Sequence, residues 1–463
     1  MSGLLLVHTN RETRPTTVLP MGLLRVADAC DAAGIPTRVL DLAFLRAPQR
    51  ALARAVKEHD PDAVGFAVRN IDNADFRAPR YYLEEVEPLI AALRRARPDL
   101  PILAGGAGIS MAPEACQEAL GVDCVIAGPA ERTLPRIWPE ILARGRAALP
   151  AVIQGELGPC DPTADFSRWL DLKPYKRRNA PLGVQARRGC PYHCVYCNYA
   201  AIEGATKYEM GEPSVVVDAL REQVDRTGIR DVEFVDSTFN SPPKFTIALC
   251  EALAQADLGL ALQASGITPR HGTADVLEAM RSAGFSAITC SPDAASDATI
   301  ASYGKGFARA DLEAMAQTTA RLDLPVLWSL MFGGPGETQA TVLETLRFIE
   351  QVVHPSDVVM VTTRMRVYPH TRLADLVAQE GGAPPSLDLR DPGQFYLSPD
   401  VEGAWLDTEL SALTKRRSNV MYMDSGQRAM VAWIQRVQAL VGQRGPTWAA
   451  HPTMLRRKPI QHV

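Results

Sequence analysis

Cysteine is scarce in this chain, with nine residues in 463, and the count is odd. A disulfide scaffold and complete pairing are both excluded, and the thiols are expected reduced in a cytoplasmic setting. Charge of one sign is not in excess either. Forty-nine basic residues stand against 53 acidic ones, a formal net charge of −4, so the basic surplus of a nucleic-acid-wrapping protein is missing and no nucleic-acid partner is expected. No window reaches the ~18 consecutive apolar residues of a spanning helix, so no transmembrane segment is expected. The apolar run Leu4-Leu5-Leu6-Val7 is too short, and lacks the basic start, for a secretory signal; it reads as a first strand. With 46% hydrophobic and 22% charged residues, disorder and fibre are excluded as overall descriptions.

The length predicts about three domains at roughly 150 residues each. In residues 1–150, apolar runs at 4–7, 37–40, 63–68, 102–105 and 122–127 alternate with helical patterns at 21–33, 50–59, 83–96, 112–120 and 131–144. Five βα units predict a doubly wound parallel sheet of Rossmann-like kind. Residues 151–182 read as an irregular linker. In 183–375 the alternation resumes, with strand candidates at 184–187, 232–235, 261–265, 287–290, 326–332 and 358–367 and long helices between them, which predicts a partial (β/α)6 TIM-type barrel. Residues 376–463 read as a mainly helical C-terminal cap, with a last helical pattern at 407–442 carrying Met421, Met423, Met430, Ile434 and Leu440.

The strongest chemical signal is Arg188-Gly189-Cys190-Pro191-Tyr192-His193-Cys194-Val195-Tyr196-Cys197, a C-x3-C-x2-C directly after the first strand of the second α/β unit. Three thiolates within eight residues suit one soft metal site, and a loop of that length can wrap a cluster while leaving one iron without a protein ligand. A zinc knuckle completed by His193, or three unrelated thiols, are the alternatives. The other six cysteines, at 30, 116, 124, 160, 250 and 290, lie mostly in helix or strand patterns and read as core.

This motif, with Tyr196 before its last cysteine, resembles that of the radical SAM superfamily. The resemblance implies a [4Fe-4S] cluster held by Cys190, Cys194 and Cys197, whose fourth iron chelates S-adenosylmethionine and whose electron cleaves it to a 5′-deoxyadenosyl radical, drawn from a donor such as flavodoxin or ferredoxin. It implies a further S-adenosylmethionine-binding set at the strand ends: Tyr196 itself, Asp236 and Ser237 after the second strand, Ser265 and Arg270 after the third, Asp293 after the fourth, and the Gly333-Gly334 turn after the fifth. Asp293 stands where many relatives carry a ribose-contacting glutamate, and an Asx turn or helix N-cap is its alternative.

A five-unit doubly wound domain ahead of such a barrel resembles the cobalamin-binding class of the superfamily. The loops carrying the resemblance follow strands three, four and five, where open parallel sheets bind ligands: Arg69, Asn70, Ile71 and Asp72; then Gly105, Gly106 and Gly108; then Gly128 and Glu131. They form the implied cobalamin-binding set. An Asp-x-His-x-x-Gly motif, which would put an imidazole under cobalt, is absent from residues 1–150. The corrin's lower face is therefore expected to meet the Arg69 loop, Arg69 favouring cob(I)alamin, and the glycines are expected to pass the nucleotide tail. The class implies a methyltransferase that moves a methyl group from S-adenosylmethionine by way of methylcobalamin to an unactivated carbon, less often phosphorus, of a small molecule or peptide precursor in secondary metabolism. A cyclase or ring-rearranging oxidoreductase with the same cofactors is the alternative. A protein that carries both cofactors without turnover is a third reading.

Overall fold

The computed structural model describes residues 3–13, 16–158, 161–203, 206–382, 394–422, 446 and 448. Leu4, Leu5, Leu6 and Val7 are all buried, and their side chains alternate between two cores. Leu5 and Val7 pack with Val64, Ile102 and Val125 on one face of a sheet, and Leu4 and Leu6 with Cys30, Ile126 and Leu134 on the other. A strand apolar on both faces needs cover on both, which parallel βα connections supply. The strands order as Thr37–Asp41, Leu4–His8, Ala63–Ala67, Ile102–Gly105, Cys124–Ala127 and Val152–Gln154, all parallel. Strand order reverses beside Leu4–His8, and a crevice opens there at the carboxyl ends of the strands.

Val152–Gln154 falls in the stretch read as linker. Its two apolar residues are too few to announce a strand, and it forms because Val125 and Ile126 offer an open edge to Val152 and Ile153. The rest of the stretch also packs: the short helices Phe166–Trp169 and Lys173–Lys176 bury Phe166 and Tyr175 completely.

The second sheet runs Leu182–Val184, Asp231–Phe234, Ala261–Ile267, Phe285–Asp293, Val326–Phe332 and Val358–Thr363 in chain order, all parallel and, among the described residues, not closed into a full barrel. A seventh strand, Val420–Tyr422, adds to the far edge beside Val358–Thr363. It lies inside the pattern read as one helix. That helix, Gly403–Arg416, ends early, and Val420, Met421 and Tyr422 pair with Val359, Met360 and Val361. Met423, Met430, Ile434 and Leu440 lie outside the described residues, as does Cys160. Two expected strands are shorter than read because the chain turns into small antiparallel ladders, Arg187–Arg188 with Glu209–Met210 and Met365–Arg366 with Phe395–Tyr396. Trp405 is half-buried against the barrel core, and Arg416 pairs with Glu350 at 2.7 Å on the surface.

Along Val326–Phe332, Val326, Trp328, Leu330 and Phe332 are buried, Trp328 meeting the Phe348 ring edge-on at 5.9 Å under the covering helix Gln339–Gln351. Leu327, Ser329 and Met331 alternate with them and face the barrel interior. No helix among the described residues is long and apolar enough to cross a membrane.

Candidate active site

A cavity of about 410 Å³ lies where the crevice of the first sheet meets the first two barrel strands. The first domain contributes Leu6, His8, Arg69, Gly105, Gly106, Gly128 and Glu131. Gly183, Arg188, Tyr199, Glu203, Glu233 and Val235 come from the barrel and the cysteine loop. Arg69 is exposed, and among the described residues its guanidinium has no hydrogen-bond or ion-pair partner. His8 is the histidine of this wall; its Nδ1 lies 2.8 Å from Asp41 Oδ1 while the Tyr175 hydroxyl donates to Asp41 Oδ2 at 2.9 Å. Burial works to raise the Asp41 carboxyl, but His8, the Ala43 amide and Tyr175 outweigh it and hold it below its ordinary range.

Of the residues expected around a corrin, Arg69, Gly105, Gly106, Gly128 and Glu131 line this cavity, and Asn70, Ile71, Asp72 and Gly108 do not. Ile71 is buried in the first domain's core. Asp72 accepts from the Tyr368 hydroxyl at 2.8 Å and Arg366 Nε at 3.0 Å, so it ties its loop to the barrel. Gly108 and Gly106 serve packing: a Cβ on Gly108 would sit 2.9 Å from the Asn70 carbonyl carbon, and one on Gly106 (φ +102°) 2.6 Å from the Val68 oxygen. These two glycines seat the strand end that presents Arg69. Glu131 also pairs with Arg188, two residues before the first motif cysteine, and joins the domains across the cavity.

Among the described cysteines only Cys190, Cys194 and Cys197 escape burial. Cys30, Cys116, Cys124 and Cys250 are instead packed into the apolar cores, and burial pushes their thiols up to about 12. The motif loop is closed at its base by the Arg187–Arg188 ladder and pinned in its middle by the buried Val195, whose amide donates to the Tyr303 carbonyl at 2.9 Å and whose carbonyl accepts from Leu373 at 2.8 Å. Among the described residues no three His, Cys, Asp or Glu side chains gather closely enough for a single metal ion. The donor set present is three accessible thiols on one tethered loop, which is the set that a cluster with an open iron needs.

The residues expected to bind S-adenosylmethionine divide. Tyr196 and Asp293 come together, the hydroxyl donating to the carboxylate at 2.5 Å, and Lys305 completes the group 2.6 Å from the same oxygen. Ser265 faces the barrel interior and donates to Glu233 at 2.7 Å. Asp236 instead turns back into the protein: it is fully buried beside the fully buried Arg187, whose amide donates to it at 2.7 Å. Ser237 Oγ donates to the Gly189 carbonyl at 2.6 Å, so both residues fasten the base of the cysteine loop. Arg270 is exposed and donates to the Gly306 carbonyl at 3.2 Å. The Gly333-Gly334 turn is packed by protein on its Cβ side: a Cβ on Gly333 would lie 2.6 Å from Leu397, and one on Gly334 2.4 Å from Met365 and the Tyr303 hydroxyl.

Several working residues went unread in the sequence. Lys305 lies between Gly304 and Gly306, both at positive φ, and a lysine flanked by glycines was the available signal. Glu337 follows the glycine turn and accepts from the Gly333 amide. Glu203 gave no signal; its carboxylate accepts from Gly189 N at 2.5 Å and Gln185 Nε2 at 2.6 Å. Burial pushes Glu203 and Glu337 up to about 7 and Asp236 to about 6. The native state therefore holds these protons at pH values where the unfolded chain has released them. Their contribution is intact below about pH 4 and is lost as pH rises toward 7. For Glu203 alone the shift amounts to something on the order of 3 kcal/mol. In thermal melts the protein is expected to lose stability from pH 5 to pH 8, and Glu203→Gln to lose less; an unchanged slope in the variant would show that Glu203 ionises normally.

Comparison with known proteins fits this geometry. The model of the Radical SAM superfamily matches residues 184–349, and that of the B12 binding domain residues 7–137. An uncharacterized methyltransferase of Pyrococcus horikoshii is 24% identical over 363 residues, covering 73% of this chain and 74% of its own length. The tryptophan 2-C-methyltransferase of Streptomyces laurentii is 23% identical over 457 residues, with 81% and 74% covered. Among solved structures, the radical S-adenosylmethionine methyltransferase TsrM of Kitasatospora setae, with cobalamin and a [4Fe-4S] cluster bound, has the same fold at a TM-score of 0.83, with 22% identity and 98% of each chain covered. The cobalamin-dependent radical enzyme OxsB follows at 0.69, with 13% identity, covering 95% of this chain and 71% of that one.

Proposed function

The chain belongs to the cobalamin-binding radical SAM enzyme family, methyltransferase-like in kind, and from that premise we propose that it transfers a methyl group from S-adenosylmethionine, by way of cobalamin, to an unactivated carbon of a small molecule or peptide precursor. Its cofactors are a [4Fe-4S] cluster, S-adenosylmethionine and cobalamin. The observation that carries the proposal is the shared cavity: the ligand crevice of the parallel sheet and the helix that follows the cysteine motif open into one space. The curated relatives are named methyltransferases, which favours methyl transfer over ring rearrangement.

When bound, the cluster supplies an electron and cobalamin carries the methyl group. The chain does the rest. Cys190, Cys194 and Cys197 hold iron, and the Glu203 and Ser237 contacts fix the base of their loop. Arg69 presents a guanidinium with no ion pair among the described residues to the crevice, and the walls of Gly105 and Gly128 let a broad planar group approach backbone. Inside the barrel, Gln263, Thr289, Ser291 and Ser329 alternate with buried neighbours, and among the described residues their side chains have no hydrogen-bond partner. They are placed to bind S-adenosylmethionine and substrate with Ser265, Tyr196 and Asp293. Holding both reacting groups over one substrate is the protein's share of catalysis. A low-potential donor such as flavodoxin or ferredoxin and a cytoplasmic setting belong to the same reading.

The test is anaerobic reconstitution with iron, sulfide and cobalamin, followed by reaction with S-adenosylmethionine deuterated at its methyl group. L-tryptophan is the first substrate to try, because it is the substrate bound in one structure of TsrM. Product carrying the intact labelled methyl is expected. A changed but unlabelled product would transfer the assignment to ring rearrangement, and the presence or absence of 5′-deoxyadenosine tells whether a radical is used.

A further inference from the structure

Three arginines crowd the rim of the barrel where the first domain's loop meets the C-terminal region. Arg77 donates to Asp407 at 2.8 Å and lies 4.0 Å over the Tyr422 ring. Arg366 donates to Asp72 at 3.0 Å. Arg364 differs: it is half-buried, yet among the described residues its guanidinium has neither an ion pair nor a hydrogen bond. It stacks over the Phe76 ring, 3.8 Å from the guanidinium.

This cation is held deliberately. Arg364 sits just past Val358–Thr363 with φ +65°, a left-handed conformation that a long L side chain seldom adopts. Its amide donates to the Phe332 carbonyl at 2.7 Å. Gly403, at the start of the helix Gly403–Arg416, has no side chain where a Cβ would come 2.7 Å from Arg364 Nη2. Two residues before Arg364, near the end of its strand, Thr362 is exposed although the strand is paired on both sides, so the barrel mouth is open close to Arg364. Backbone strain and partial desolvation of a charge persist here with only the Phe76 ring, and no anion or hydrogen-bond acceptor among the described residues, to offset them.

We propose that Arg364 recognises the carboxylate of the substrate, which makes the substrate class a small carboxylic acid entering at the barrel mouth. A monoanion fits better than a phosphate dianion, because the rim's other two arginines already carry carboxylate partners and the nearby interior groups are uncharged hydroxyls. The two-pronged guanidinium matches a carboxylate edge. The proposal rests on the methyltransferase reading above and sharpens it.

L-tryptophan and tryptamine, which lacks the carboxylate, are the probes, measured by equilibrium dialysis against the cobalamin-loaded protein. The wild type is expected to prefer L-tryptophan by about tenfold to a hundredfold. Arg364→Gln should erase that preference without weakening tryptamine, and Arg364→Lys, which keeps a point charge and the packing on Phe76, should restore part of it. Equal binding of the two probes by the wild type, a preference surviving in Arg364→Gln, or binding of neither probe by the wild type would each overturn the proposal. Methylation of cobalt by S-adenosylmethionine in the wild type, followed by absorbance with no substrate present, tests the underlying reading separately.

Discussion

Cys194→Ala is expected to leave a folded protein that retains no stable iron and transfers no methyl group. Cys194 is half-buried on a loop rather than packed in a core, so little stability is lost with its sulfur. The loop's attachments are also independent of it, since Val195 is bonded through its backbone and Glu203 holds Gly189. The same result is expected for Cys190→Ala, whose thiol meets Thr238 Oγ1 at 3.6 Å, and for Cys197→Ala, whose sulfur accepts from the Tyr199 amide at 3.4 Å. The contrast is with Cys250 and Cys290, fully buried in the barrel core. There an alanine costs about 1 kcal/mol of stability and leaves iron content untouched. His193→Ala separates the cluster from the zinc alternative: its carbonyl accepts from Arg372 at 3.1 Å and, among the described residues, its ring has no hydrogen-bond partner, so iron is expected to be retained. Iron per chain, measured after reconstitution of each variant, decides the matter. Normal iron in Cys194→Ala, or iron lost from His193→Ala, would remove the three-cysteine assignment.

Legibility in the sequence followed the range of the interactions. The cysteine motif is read from eight consecutive residues because its chemistry is local. The strands at 4–7 and 326–332 are read from their own apolar patterns. Val152–Gln154 and Val420–Tyr422 are strands only because an edge is waiting for them, and three residues cannot advertise that. The same limit governs the site. Asp236 looked like a rim acceptor, but its direction is set by Arg187, forty-nine positions earlier in the chain and fully buried. Gly106 and Gly108 read as places of close approach to a ligand, and the structure shows the backbone of Val68 and Asn70 closely approaching them. A glycine reports that space is tight and is silent about what fills it.

Asp293→Ala is expected to be among the most destabilising single changes in the barrel. It would leave the Lys305 ammonium and the Tyr196 hydroxyl facing each other without the carboxylate that joins them. Lys305 and Asp293 side chains are only 10% and 3% exposed, so water cannot replace the lost partner. Burial disfavours the Lys305 ammonium, but Asp293 outweighs it and keeps the lysine charged, its proton held more tightly than usual. Burial, reinforced by Asp293, raises the Tyr196 hydroxyl, which therefore stays protonated and donates. Breaking such a buried pair from one side costs about 3–5 kcal/mol. Asp293→Asn isolates the charge, since asparagine also tolerates the φ of +65° found here and keeps an acceptor for Tyr196; it should recover part of the loss. Removing both charges, in Asp293→Asn with Lys305→Met, should be less harmful than Asp293→Asn alone, because no ion is then stranded. Tyr196 lies between two motif cysteines, so the unfolding midpoint and iron retention should fall together across the series. Additive losses in the double variant would mean that the pair is not coupled. A stable Asp293→Ala protein that sheds iron would mean that the carboxylate anchors the loop without stabilising the barrel.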